Sequence, residues 1–478
     1  MTNPATTHPR YRSRRRGRRA AAALTVLGLA LAACGGDDDD SADPTSAPGT
    51  ADTPAETPAE TPASEPGAAP TTAAPATEPA ASGEPVEIDW WHIQNSDPGL
   101  ANWQAMADAF TAEHPNVKIN ITVHENDAFK DAIEPLLQSG DVPDLFQSWG
   151  TGDLRELVDQ GLVQDVTDAV APWISDLGAG PVSLYQVDGR QYGVPFNAGI
   201  VGFWYNQDLF AEAGIDAPPE TWDEFLADVQ TLKDAGITPI AVGAGAKWPA
   251  HFYYAYLMLR VGGAAALEEI AASNDFTHPA VIEAGERIGD LVALEPFQPG
   301  FLGADWDTPD GEAGIMATGG AAMDLMGQWA PGAFRSQAGV ETVQDLDWEI
   351  GWFPFPAVEG GAGAGTEVIG GGDGFAVGKD APPEAVEFLE FITNQDNQTT
   401  WAEAGSGIPV NPAAAGGLGP ELVPVAEGLG ASTFLQLYLD QFFPSEVGTA
   451  INDQTALLFA GEVSPEDAAA AITAVAGG

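Results

Sequence analysis

From residue 86 onward, apolar and polar positions repeat with two different periods. Val86-Glu87-Ile88-Asp89-Trp90-Trp91 alternates as a half-buried strand does, and Val117, Ile119, Ile121 and Val123 repeat that spacing. Between them Trp103, Met106, Ala107 and Phe110 recur at helical intervals until His114-Pro115-Asn116 stops the run. The same reading predicts a helix over about 128–138, a short strand over 144–148 and a helix over 222–234. A strand over 237–242 and a helix over about 251–260 follow. Past a glycine-rich stretch, 374–377 reads as a strand, and Val386, Leu389 and Phe391 mark a helix. Strands alternating with amphipathic helices predict an α/β fold. About 390 residues of this texture exceed one compact core, which implies two α/β lobes.

The chain before this region has a different character. Residues 1–19 carry seven arginines and no acid, and Ala20–Ala33 is one run of apolar or small residues that stops at Cys34. A basic start followed by a short apolar run has the layout of a secretory signal. As a helix it would rise only about 21 Å, against a hydrocarbon core of about 30 Å, so it is not expected to span a membrane. Leu31-Ala32-Ala33-Cys34 resembles the lipobox of bacterial lipoproteins, which implies cleavage before Cys34 and acylation of its thiol. Residues 35–84 contain almost no large apolar side chain and repeat Thr-Pro-Ala-Glu, so they are read as a disordered tether.

Charge and cysteine content narrow the function. The formal net charge is −53, and loss of the seven N-terminal arginines leaves ten basic residues against 70 acids, or −60. Such a chain is repelled by nucleic acid and by anionic membrane, so no nucleic-acid partner is expected and any membrane contact falls to the lipid anchor. Cys34 is the only cysteine, which excludes a disulfide framework within one copy. His92, His114, His124, His251 and His278 fall in no metal-ligand spacing, and neither a G-x-S-x-G elbow nor a phosphate-binding loop occurs. The glycines of 360–374 lack the Lys-Ser/Thr of a phosphate loop and read as a flexible loop before a strand. No catalytic residue, metal or cofactor is therefore expected.

Tryptophan carries the most information. All 13 lie between Trp90 and Trp401, several of them where strands or helices end. Trp149 follows a strand and precedes Gly150-Thr151-Gly152. Trp248 sits beside Lys247, Trp306 between Asp305 and Asp307, and Trp329 after Gln328. An indole face suits the C–H face of a sugar ring, and nearby polar side chains suit its hydroxyls. Trp103 and Trp222, at helical spacing and a helix start, read as core.

Three segments in order carry a family resemblance: Tyr192-Gly193-Val194-Pro195-Phe196-Asn197, then Phe203 to Phe210, then Ala213-Gly214-Ile215 through Pro218 to Phe225. With Gly371-Gly372-Asp373-Gly374-Phe375, this stretch resembles the extracellular solute-binding proteins of carbohydrate ABC importers. Lys247 to Tyr256 resembles actinobacterial binders of xylobiose and raffinose-type oligosaccharides. The resemblance implies a two-lobed periplasmic-binding-protein-like fold of type II with a hinge between lobes, and a monomer that hands an oligosaccharide to the permease subunits of an ABC importer. It implies binding by His92, Gln94, Asn95, Trp149, Asn197, Lys247, Trp248, His251, Gln328, Trp329, Gly372 and Asp373, to which local chemistry adds Trp306. The expected division is 1–33 signal peptide and 34–84 lipidated cysteine and linker. The first lobe is expected over 85–197 with 355–395, the second over 198–354 with 396–478. The expected location is outside the cell, anchored to the cytoplasmic membrane by Cys34. Two rival readings remain, a lipid-anchored glycoside hydrolase and a sugar-sensing module for a membrane receptor.

Overall fold

Parallel pairing begins with the first apolar stretch. The computed structural model describes residues 83–477, so the expected signal peptide, Cys34 and nearly all of the linker lie outside the described residues. In chain order the elements used below begin with β1 (Val86–His92), α1 (Gly99–Glu113), β2 (Val117–Val123), α2 (Asn126–Ser139), β3 (Leu145–Ser148), α3 (Thr151–Asp159) and β4 (Gly193–Pro195). The chain continues through β5 (Gly199–Ile200), β6 (Gly202–Asn206), α4 (Trp222–Asp234), α5 (Trp248–Ser273), β7 (Met323–Met326), α6 (Ala330–Ala338) and β8 (Ile350–Phe353). It ends with β9 (Glu367–Gly371), β10 (Gly374–Val377), α7 (Pro383–Thr393), α8 (Gln395–Glu403), β11 (Phe434–Leu437), α9 (Leu439–Phe442) and α10 (Ser445–Ala460).

The first lobe is built on a five-stranded sheet of order β2-β1-β3-β10-β4. Strands β2, β1 and β3 are parallel, whereas β10 runs antiparallel to both β3 and β4. Both faces are covered, as parallel pairing demands. Ile88, Trp90, Leu145 and Phe375 turn to one face, where Trp103, Phe110, Phe388 and Trp401 pack. Phe146 and Ala376 turn to the other, against Phe129, Leu154 and Tyr185. The second lobe holds two three-stranded sheets, β8-β6-β7 and β11-β9-β5, around a larger core. Trp103 and Trp222 are fully buried, as their spacing implied. Helix α4 starts at a capping box in which Thr221 and Glu224 satisfy each other's backbone N–H.

Two expectations change. Residues 237–242 form no strand; Ile240 makes only isolated bridges to Phe297 and Met323, and the segment runs on as a buried loop. The glycine-rich stretch is fastened rather than flexible. Arg260 of α5, wholly buried, donates to the carbonyl oxygens of Phe355, Pro356, Ala364, Gly365 and Glu367. Gly361 lies against it so closely that a Cβ there would sit 2.2 Å from the Arg260 carbonyl oxygen.

The chain passes between lobes where two short segments lie side by side. Asn197, between β4 and β5, donates from Nδ2 to Asp373 Oδ2 at 2.9 Å. Its Oδ1 accepts the Asp373 backbone N–H, also at 2.9 Å. Asp373 stands between β9 and β10, so this reciprocal pair ties two crossings together. A third segment joins them where Ala198 N–H donates to the Ile408 carbonyl. The cores do not divide at the expected 354/355 and 395/396. Phe355, Val358, Val368 and Ile369 belong to the larger core, because β9 pairs with β5 and β11. Trp401 and Val410 belong to the smaller one, because α8 packs on α1 and Trp401 stacks on Trp103 at 4.3 Å.

Candidate functional site

A cleft spanning about 1120 Å³, part of it open to solvent, lies where the crossings bring the lobes together. Each wall has its own construction.

The second-lobe wall is aromatic. Trp248 opens α5, Trp306 follows the loop after Gly303, and Trp329 lies between β7 and α6. The Trp248 ring centre is 5.9 Å from Trp306 and 6.3 Å from Trp329. Phe252 lies one helical turn from Trp248, at 5.7 Å, and it reaches Tyr438 at 5.7 Å. Two buried carboxylates stand behind this wall. Glu312 accepts the Gly243 N–H at 2.6 Å, on the loop leading to Trp248, while its own N–H donates to the Asp305 carbonyl beside Trp306. Glu312 and its neighbour Asp324 are pushed well above the ordinary carboxyl range, Asp324 by burial and Glu312 by burial and the Asp324 charge.

The first-lobe wall is polar. The loop after β1 supplies Gln94, Asn95, Ser96 and Asp97, the start of α2 supplies Glu125, Asn126 and Lys130, and the end of β3 supplies Trp149. These are the carboxyl ends of the parallel strands, where loops are free to carry side chains into a crevice. Lys130 Nζ stands 5.4 Å over the Trp149 ring. Asn197 and Asp373 form the floor. Burial raises the Asp373 carboxyl to about 6 against the hydrogen bonds of Asn197 and Trp149, which favour its charged form.

At one side of the cleft the lobes touch. Thr151 Oγ1 donates to the Gln441 carbonyl at 2.7 Å. A Cβ on Gly152 would lie 2.7 Å from the Phe442 and Phe443 carbonyl oxygens, so only glycine permits this approach. Beside it Asp153 faces Asp440. Burial first, then the Asp440 and Glu156 charges, raise Asp153 to about 8, and Lys130 opposes them. His251 Nδ1 is 2.6 Å from the Trp248 carbonyl oxygen and Nε2 is 3.4 Å from Asp440 Oδ1.

Of the residues singled out in the sequence, Gln94, Asn95, Trp149, Asn197, Trp248, His251, Trp306, Trp329 and Asp373 line this one cleft. Four do not. His92 is buried under the loop, with its Nδ1 accepting the Gln94 N–H; burial lowers its pKa to about 3, so it is a neutral support. Lys247 turns to the surface and pairs with Asp453 at 2.6 Å. Gln328 is buried behind Trp329, filling the space beside Gly199. Gly372 contributes only backbone, its carbonyl accepting from Tyr185 at 3.0 Å. Sequence reasoning missed Glu125, Asn126, Lys130, Tyr438, Asp440 and Gln441. The signal available for the last three was their place directly after a strand, at 434–437.

The chain belongs to the bacterial extracellular solute-binding proteins, whose family pattern matches residues 95–399. It is similar to an uncharacterized ABC transporter extracellular-binding protein of Pyrococcus horikoshii, with 26% identity over 348 residues, 69% of this chain and 73% of that protein. It is also similar to the multiple sugar-binding protein of Streptococcus mutans, with 28% identity over 300 residues, 59% of this chain and 66% of that protein. A solved structure from work on xylan utilization by the thermophilic bacterium Caldanaerobius polysaccharolyticus matches with a TM-score of 0.75 at 25% identity. That match covers 81% of this chain and 99% of the other. The two-lobed architecture of this family is the one described above. Among the described residues no helix is long and apolar enough to cross a membrane.

Proposed function

We propose that this chain captures an oligosaccharide outside the cell and releases it unchanged to the permease of an ABC importer. The observation that carries this reading is the composition of the one cleft. Trp248, Trp306, Trp329, Phe252 and Tyr438 stand on one side, with Trp149 and the Gln94–Asp97 loop on the other. Aromatic faces suit the C–H faces of sugar rings, and amides and carboxylates suit their hydroxyls. The relatives point the same way, since one binds multiple sugars and another comes from xylan utilization. A short neutral oligosaccharide of the xylobiose or raffinose class is the candidate ligand.

Binding is hinged about the three crossings near 197, 373 and 408. A ligand touching both walls favours the closed arrangement and shifts the population toward it. Micromolar affinity, about −8 kcal/mol, suits capture followed by release. Acylated Cys34 would hold the monomer at the outer face of the membrane, with residues 35–84 as its tether. Titration calorimetry against a panel of neutral oligosaccharides tests the reading, and silence toward all of them would overturn it. Recovery of a shortened sugar after incubation would instead make the protein a hydrolase.

A further inference from the structure

We infer that the cleft selects oligosaccharides by charge, accepting uncharged or amine-bearing ones and rejecting those that carry a carboxylate. The inference rests on the sugar-binding reading above and narrows its ligand class. Asp97, Glu125, Asp307, Asp373 and Asp440 all line the cleft, contributed by both lobes and by the crossing. Facing them are one lysine and one histidine. Lys130 stands over the Trp149 ring and in the field of Asp127, and His251 lies between the Trp248 carbonyl and Asp440. Arg335, whose field reaches Asp97, donates to the Ala404 carbonyl outside the lining. An incoming carboxylate would therefore meet five carboxylates, from both lobes and the crossing, with a single lysine among them to pair with.

One uncharged group leans the same way. Gln441 is only 8% exposed, lines the cleft, and has no partner for Oε1, an acceptor waiting for a donor. The cleft carboxylates are likewise only partly used. Asp97 accepts from the Ala101 N–H through Oδ1, and Asp307 from Gln337 through Oδ1. Their remaining capacity calls for hydroxyl or ammonium hydrogens, which a neutral or amino sugar supplies and a carboxylate does not. The repulsion also reaches across the gap: burial raises the Asp127 carboxyl of the first lobe, and the Glu125 charge and, more weakly, the Asp305 charge of the second lobe add to it.

The test pairs neutral probes with charged counterparts, using the full chain and titration calorimetry at 50 mM NaCl. Xylotriose, raffinose and N,N′-diacetylchitobiose are the neutral probes, glucuronosyl-xylotriose and digalacturonate the anionic ones, and the glucosamine dimer the cationic one. At least tenfold weaker binding is expected for glucuronosyl-xylotriose than for xylotriose. The gap should narrow at 500 mM NaCl, where the Debye length falls to a few ångströms. The double variant Glu125→Gln, Asp307→Asn should narrow it as well. Equal or tighter binding of either anionic probe overturns the charge selection while leaving sugar binding intact. Heat from none of the probes overturns the sugar reading itself, and this inference with it.

Discussion

The two walls of the cleft differ in how their side chains are held, and the difference assigns them different work. The second-lobe wall is a set of mutually packed rings, Trp248 against Trp306, Trp329 and Phe252, backed by a buried carboxyl pair. The first-lobe wall is a row of loop and helix-start residues at the ends of parallel strands, several of them partly exposed. Packed rings present fixed anchors, and binding energy concentrates in a few well-packed aromatic anchors of that kind. Loop amides and carboxylates present direction, which selects among ligands that all offer a ring face. If the cleft binds sugar as proposed, one wall should supply strength and the other choice.

This contrast can be broken at its strong end first. Trp248→Ala should cost about 3 kcal/mol of binding, on the order of a hundredfold, whereas Trp149→Ala should cost about tenfold. Calorimetry with whichever oligosaccharide binds the parent gives both numbers, and equal losses would erase the distinction. The crossing comes next. Asn197→Ala leaves Asp373 without its reciprocal partner, and stability should fall by about 2 kcal/mol in urea unfolding.

The lobe contact offers a third measurement. Burial, then the Asp440 and Glu156 charges, raises Asp153 to about 8 at this contact, and exposure on separation of the lobes is expected to return it toward the ordinary carboxyl range. Closure therefore takes up a proton between those values, so it is favoured at lower pH and weakened as pH rises through 8. Ligand affinity should drop by at least about tenfold from pH 6 to 8 and level off above it, and Asp153→Asn should flatten that slope. The smallest effect belongs to Lys247. Its pair with Asp453 is half-exposed on the surface, so Lys247→Met should move affinity less than about twofold and stability by less than about 1 kcal/mol.

Much of the fold was legible because its period was uninterrupted. The alternation in 86–91 and 117–123 and the helical spacing of Trp103 to Phe110 each became the expected element within a few residues. The segment 237–242 misled because its pairing with β7 amounts to one isolated bridge at Met323, through Ala241 N–H and the Pro239 carbonyl; beyond it Val242 N–H and C=O are satisfied by the Gln298 side chain. In the cleft, tryptophans at element ends were readable because a large ring outside an apolar stripe needs another reason to be there. Lys247 and Trp248 show the limit. They are adjacent in sequence, yet the backbone at Lys247 is left-handed (φ 67°), which turns one side chain to solvent and the other to the cleft. His92 misled for a related reason, since a strand-end histidine can face the crevice or sit beneath it, and only packing against Trp90 decides. Tyr438 and Gln441 were missed because their neighbours in space are distant in sequence.

Arg260 has a bearing on how this protein responds to its surroundings. A guanidinium keeps its proton across any pH the cell exterior offers, and this one is met entirely by main-chain oxygens. No acid need ionise to hold it, and no added ion can reach it to compete. The strap of glycines leading into β9 is thus moored by a fastening indifferent to acidity and brine, while Asp373, a few residues downstream, titrates near 6. The strap itself thus adds no response to acidity or salt, which falls instead to carboxyls nearer the cleft such as Asp373 and Asp153.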